Sequence, residues 1–133
     1  RENEAVLDVL NRHGVGAIAF SPLAQGILTG KYINGIPADS RAAGASVFLN
    51  ANHVTGSVEV ITKRLMEISD GRGQSLAQMA LAWGLQKKGM TSVIMGESRT
   101  EQIVENLKTM ENMAFTEEEL RRIDEILYDE TEV

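Results

Sequence analysis

Two short apolar runs, Ala17-Ile18-Ala19-Phe20 and Ser92-Val93-Ile94-Met95, are the strand-like stretches of this chain, and helical patterns fill the sequence around and between them. Strands separated by helices pair in parallel, because a parallel partner needs a crossover long enough to hold a helix. The pattern is therefore α/β. Two parallel strands are too few for a covered sheet, since both faces and both edges need partners before a run such as Val93-Ile94-Met95 is buried. The chain reads as part of a larger α/β sheet or barrel.

The helices follow from spacing. Val6, Val9 and Leu10 on an acidic background predict a helix over residues 2 to 12, stopped by Gly14 and Gly16, with a strand at 15 to 20. Residues 22 to 54 hold several glycines, both prolines and little periodicity, which reads as a long loop covering a ligand. Val58, Ile61, Leu65 and Ile68 recur at helical spacing up to Gly71 and Gly73. Ser75 with Gln78 makes a capping box for a helix that is apolar almost all round and so must be buried on more than one side. After a strand at 91 to 95, Ser98 with Glu101 is expected to cap a helix whose inner face is Ile103, Leu107 and Met110. Thr116 with Glu119 caps the last helix, with Leu120, Ile123 and Leu127 inward. The first residue is Arg1, and the residues after it resemble the middle of a helix, so a segment upstream is expected.

Composition narrows the function. With 43% hydrophobic and 24% charged residues the balance is that of one globular domain. A net charge of -6 argues against a nucleic-acid surface. No run approaches the roughly 18 apolar residues of a membrane helix, so no membrane partner is expected. The absence of cysteine excludes thiolate metal sites and fits a reducing compartment, and a cytoplasmic location is expected. His13 and His53 are too isolated to suggest a metal, and Trp83 and the six methionines fit core packing. There is no Walker loop, nucleophile elbow or GxGxxG.

Both strand-like runs feed segments suited to an anion, and in parallel α/β folds ligands collect at the carboxyl ends of strands. In Ser21-Pro22-Leu23-Ala24-Gln25-Gly26-Ile27-Leu28-Thr29-Gly30-Lys31, Pro22 fixes the exit from the strand and Gly26 and Gly30 allow backbone to approach a ligand. Lys31 adds a positive charge, a combination suited to a pyrophosphate. An ordinary glycine-rich loop with a solvated lysine has the same composition. In the second segment a helix starting near Arg99 directs its amides and dipole toward the strand end, and Ser98 and Arg99 supply a hydroxyl and a forked cation for a phosphate monoester. Glu97 opposes this unless it points away, and Ser98 reads equally as an N-cap. Gln102, Glu105 and Asn106 share one helix face and offer a carboxylate and two amides to a heteroaromatic edge, or simply a solvated polar face.

Three sets of residues carry a specific likeness: Phe20-Ser21-Pro22-Leu23-Ala24-Gln25-Gly26 through Gly30-Lys31-Tyr32, Asp39-Ser40-Arg41, and Gly96-x-Ser98-x-x-x-Gln102-x-x-Glu105-Asn106. Over essentially its whole length the chain resembles the C-terminal part of an aldo-keto reductase, most of all the branch holding potassium-channel β-subunits and bacterial glyceraldehyde 3-phosphate reductases. The resemblance implies a (β/α)8 TIM barrel, of which residues 1–133 would be the C-terminal portion, with the last two strands, their helices and the C-terminal helix, and 22–54 a cofactor-covering loop. It implies NADPH as cofactor and reduction of small aldehydes or ketones. Phe20, Ser21, Pro22, Leu23, Ala24, Gln25 and Lys31 would lie along the nicotinamide and pyrophosphate, and Arg41 would reach the cofactor from the loop. Gly96, Ser98 and Gln102 would meet the 2′-phosphate region, and Glu105 and Asn106 the adenine. Gln25 and Asp39 differ from the channel β-subunits. The catalytic Asp, Tyr, Lys and His of the family belong to earlier strands and have no counterpart here, so this chain alone is not expected to catalyse. The partners in view are a small carbonyl substrate, the missing N-terminal part of the barrel, and further copies of the protein in a homo-oligomer. The rival function is a regulatory, redox-sensing subunit that binds NADP without turning over substrate.

Overall fold

The computed structural model describes residues 4–38, 40–44, 49, 54 and 56–128 of the 133, apart from the side chains of Glu4 and Arg41. Helix α1 (Glu4–Arg12) leads into strand β1 (Ala17–Phe20), and two 3₁₀ turns (Ala24–Thr29 and Arg41–Ala43) come after it. Then come α2 (Gly56–Gly71), α3 (Leu76–Leu85), β2 (Met90–Ile94), α4 (Thr100–Leu107), a 3₁₀ turn (Lys108–Glu111) and α5 (Glu117–Tyr128). The strand-like runs pair in parallel as expected, with Ile18 opposite Ser92, Ala19 opposite Val93 and Phe20 opposite Ile94. No described helix is long and apolar enough to cross a membrane.

The helical layer is held by local caps and one apolar cluster. The Ser75 amide donates to Gln78 Oε1 at 3.0 Å and the Gln78 amide to Ser75 Oγ at 3.2 Å, a complete capping box at the start of α3. The Thr116 amide donates to Glu119 Oε2 at 2.7 Å and the Glu119 amide to Thr116 Oγ1 at 3.2 Å, closing the same motif on α5. Leu65 and Ile68 of α2, Leu76 and Met79 of α3, and Ile123 and Ile126 of α5 bury their side chains together. The nearly all-apolar α3 is buried around much of its circumference, as its composition requires, with Leu81 and Ala82 fully enclosed.

Segment 22–54 has a small core of its own, in which Tyr32, Ala42 and Leu49 pack with Ile27, Ile36 and Val54. Asp39 and His53 of this segment lie outside the described set, as do residues 2 and 3 of the expected first helix.

The structure corrects α4 in two respects. Its N-cap is Arg99, one residue beyond Ser98, and Gln102 rather than Glu101 reaches back: Gln102 Oε1 accepts from the amides of Ser98 and Arg99 and from Ser98 Oγ, each at 3.1 Å. The expected inner face is also turned outward. Ile103, Leu107 and Met110 are 44%, 58% and 66% exposed, whereas Asn106 and Thr109 are buried. The reason is polar: Gln78 Nε2 of α3 donates at 2.8 Å to both the backbone oxygen and Oε1 of Glu105, which fixes that side of α4 against α3.

The sheet is bare on one face. Ile18, Phe20 and Ile94 are exposed, Phe20 to 82%, and neither outer strand edge has a strand partner among the described residues. Apolar patches beyond a few hundred Å² drive association, and open strand edges template pairing. The 133-residue chain by itself is therefore expected to self-associate, which sedimentation at several concentrations measures; a stable monomer across the series would contradict it.

Candidate functional site

The chain leaves β1 through an unusual backbone. Ser21, Ala24 and Gln25 have φ values of 51°, 47° and 58°, a left-handed conformation that costs non-glycine residues on the order of 1 kcal/mol or more each. Such strain persists only where surrounding contacts impose it. Here the Ala24 amide donates to the Ser21 oxygen at 3.0 Å and the Gly26 amide to the Leu23 oxygen at 2.8 Å, while Gln25 Nε2 donates to Ser21 Oγ at 3.1 Å. Thr29 Oγ1 donates to the Gly26 oxygen at 2.7 Å. Gly26 has a φ of +97°, a left-handed conformation that glycine adopts without strain, and the flexible end of Lys31 lies against it, with Nζ 2.8 Å from where a Cβ would stand.

A groove of about 620 Å³ opens at the carboxyl ends of both strands. Phe20, Ser21, Pro22, Leu23, Gln25, Gly26 and Lys31 line it from the β1 side, and Gly96, Ser98 and Gln102 from the β2 side. A second recess along the start of α4 holds Arg99, Glu105 and Asn106, and shares Leu23, Thr29, Glu97 and Gln102 with the first, so the two are one continuous surface. Of the residues singled out in sequence, Ala24 lines neither recess, and Arg41 lies in its 3₁₀ turn with its side chain outside the described set.

Thr29, Ser40 and Glu97 also line the groove, although sequence alone does not assign them to the site. Ser40 Oγ is buried without a hydrogen-bond partner among the described residues. Thr29 lies within the glycine-rich segment and Ser40 within Asp39-Ser40-Arg41, but nothing in either stretch signals that these residues line the groove. Glu97 does not point away: its Oε1 accepts from Asn106 Nδ2 at 2.7 Å.

Charge along the groove is unevenly paired. Among the described residues Lys31 has only the Tyr32 ring, 5.0 Å away, and Arg99 has no ion pair or side-chain hydrogen bond. Glu105 is engaged by Lys108 Nζ at 2.7 Å and Gln78 Nε2 at 2.8 Å; the Lys108 hydrogen bond chiefly holds its carboxyl below the usual range, against partial desolvation. The amides of Ser98 and Arg99 are satisfied by Gln102, so the anion-binding capacity of this helix start rests more on side chains than the sequence alone suggests. The groove thus presents cations and hydroxyls from both strand ends, the equipment of an anion site in a parallel α/β protein.

Residues 1–128 match the Aldo/keto reductase family, and the chain belongs to that family of oxidoreductases, which generally use NAD(P)H. It is 45% identical over 136 residues to an L-glyceraldehyde 3-phosphate reductase of Escherichia coli O157:H7, covering 96% of this chain and 38% of that protein. It is 40% identical over 119 residues to a putative voltage-gated potassium channel subunit beta of Schizosaccharomyces pombe, covering 86% of this chain and 35% of the relative. Among solved structures, the glycerol dehydrogenase of Gluconobacter oxydans superposes with a TM-score of 0.75 at 23% identity, over 97% of this chain and 39% of that one, a likeness of fold. The chain spans well under half the length of these curated relatives.

Proposed function

We propose that the chain is the C-terminal portion of a (β/α)8 barrel, its last two strands with their helices and the C-terminal helix, and that the whole protein is a cytoplasmic NADPH-dependent reductase of small aldehydes or ketones. The observation that carries this is the groove at the two strand ends, where Lys31 lies beside the glycine turn and the buried Ser40 hydroxyl has no partner among the described residues. Both features suit a pyrophosphate, which needs close backbone approach, a mobile cation and hydroxyl donors.

In this reading Phe20, Ser21, Pro22, Leu23, Gln25, Gly26 and Lys31 bind the nicotinamide and pyrophosphate half, with Ala24 shaping the turn and Arg41 reaching in from the loop. Gly96, Ser98, Arg99 and Gln102 hold the adenosine phosphate end, with Glu105 and Asn106 on the adenine. When bound, the nicotinamide supplies the hydride. The residues of this chain bind and orient it and keep water from it; proton delivery to the substrate oxygen falls to residues outside this chain. The relationship to an L-glyceraldehyde 3-phosphate reductase supports a small aldehyde as substrate. The likeness to a channel β-subunit favours a second reading, a subunit whose bound cofactor regulates a partner.

Turnover separates the two. The full-length protein is expected to oxidise NADPH with members of an aldehyde panel that includes L-glyceraldehyde 3-phosphate, monitored as loss of nicotinamide absorbance. NADPH binding with no turnover would favour the regulatory subunit, and no nucleotide binding would overturn both. In the same protein Arg99→Ala should cost about 1.5–3 kcal/mol of NADPH affinity and little for NADH, the scale of a hydrogen bond to a charged group. Equal losses for the two cofactors would show that Arg99 does not read the 2′-phosphate.

A further inference from the structure

Glu97 stands where the two recesses of the groove meet, lining both, next to Gly96 and Ser98. Its carboxylate is anchored: Oε1 accepts from Asn106 Nδ2 at 2.7 Å, and Asn106 itself is 7% exposed and so has little freedom to swing away. Its partner is a neutral amide, and no cation lies within ion-pair distance of Glu97 among the described residues. Arg99, two residues on, lines only the second recess. The groove therefore holds an unneutralised negative charge at the end assigned above to the adenosine.

We propose that Glu97 is a specificity-determining residue that weighs against a 2′-phosphate and lets the site accept NADH alongside NADPH. This inference rests on the cofactor reading under Proposed function. A carboxylate accepts hydrogen bonds from the 2′-hydroxyl of a ribose, the means by which dinucleotide sites select NAD. The same carboxylate repels a phosphate monoester, which carries close to two negative charges at neutral pH. Arg99 and Glu97 thus act in opposite directions on one group, and selectivity is set by their balance. The hydrogen bond from Asn106 matters because it keeps the carboxylate in the groove instead of leaving it to relax into solvent.

The test is Glu97→Gln in the full-length protein, since glutamine keeps an acceptor for Asn106 Nδ2 and removes only the charge. Dissociation constants for NADPH and NADH, and for the simpler probes 2′,5′-ADP and AMP, are measured by calorimetry at low and high salt. Glu97→Gln is expected to raise the preference for the 2′-phosphorylated member of each pair about tenfold at low salt, and by less at high salt, because screening weakens the repulsion. Glu97→Ala, which also removes the acceptor for Asn106, should shift the ratio the same way. An unchanged ratio, or a shift toward NADH and AMP, would overturn the proposal while leaving the cofactor site standing. Failure of the unsubstituted protein to bind any of the four probes would overturn the cofactor reading and this inference with it.

Discussion

Arg72→Ala is expected to lower the stability of the full-length protein by about 3–5 kcal/mol, the cost of breaking a buried ion pair by removing one partner. The Arg72 side chain is 2% exposed and uses its donors at the junction of α2 and α5: Nη1 to Glu119 Oε2 at 2.8 Å, Nε to Gln74 Oε1 at 2.8 Å, and Nη2 to the Asn112 oxygen at 3.0 Å. Its guanidinium also lies 3.8 Å from the centroid of the Phe115 ring. Alanine leaves the Glu119 carboxylate without its cation and opens a space against Phe115. Lysine restores charge but not the fork, so Arg72→Lys should recover only part of the loss. Chemical denaturation measures this, and a change under about 1 kcal/mol would show that the network contributes little beyond surface ion pairing.

The same network predicts an acid dependence. Burial works to raise the Glu119 carboxyl, but the Thr116 backbone hydrogen bond and Arg72 outweigh it and hold the group below its ordinary value of 4.5. A depressed folded-state value contributes stability that is fully present above 4.5 and lost as pH falls toward the folded-state value. Unfolding profiles from neutral pH into the acid range should therefore be shallower in Arg72→Ala than in the unsubstituted protein.

Leu81→Ala is the second large effect, with an expected cost of about 2–5 kcal/mol from lost transfer energy and the cavity left behind. Leu81 is 1% exposed at the centre of α3, the helix in contact with β2, α2 and α4. A cavity there loosens the scaffold on which both strand ends rest, so nucleotide affinity should fall together with stability. Leu81→Met, which nearly conserves volume, should cost less than about 1.5 kcal/mol. Comparable losses for Ala and Met would mean that shape rather than volume governs the position.

The features legible in the sequence are local or topological. The boxes Ser75/Gln78 and Thr116/Glu119 are visible because both partners lie three residues apart and need nothing from the rest of the fold. Parallel pairing of β1 with β2 follows from the helices between them, and an exposed sheet face from there being two strands. The strand ends as the place for a groove follow from the same topology.

Tertiary structure decided the rest. At α4 sequence offers the box Ser98/Glu101, but Gln102, one residue on, reaches back instead, because its Oε1 collects three donors at once. The apolar stripe Ile103, Leu107 and Met110 is evident in sequence, but an amphipathic pattern does not say which face a neighbour takes, and Gln78 on α3 claims the opposite one. Left-handed backbone at Ser21, Ala24 and Gln25 runs against local preference, so no local rule finds it. The Arg72 network joins residues up to 47 apart in sequence. Sequence leaves open whether Glu97 points away from the anion site; its place in the groove comes from the hydrogen bond with Asn106, whose burial is a property of the fold.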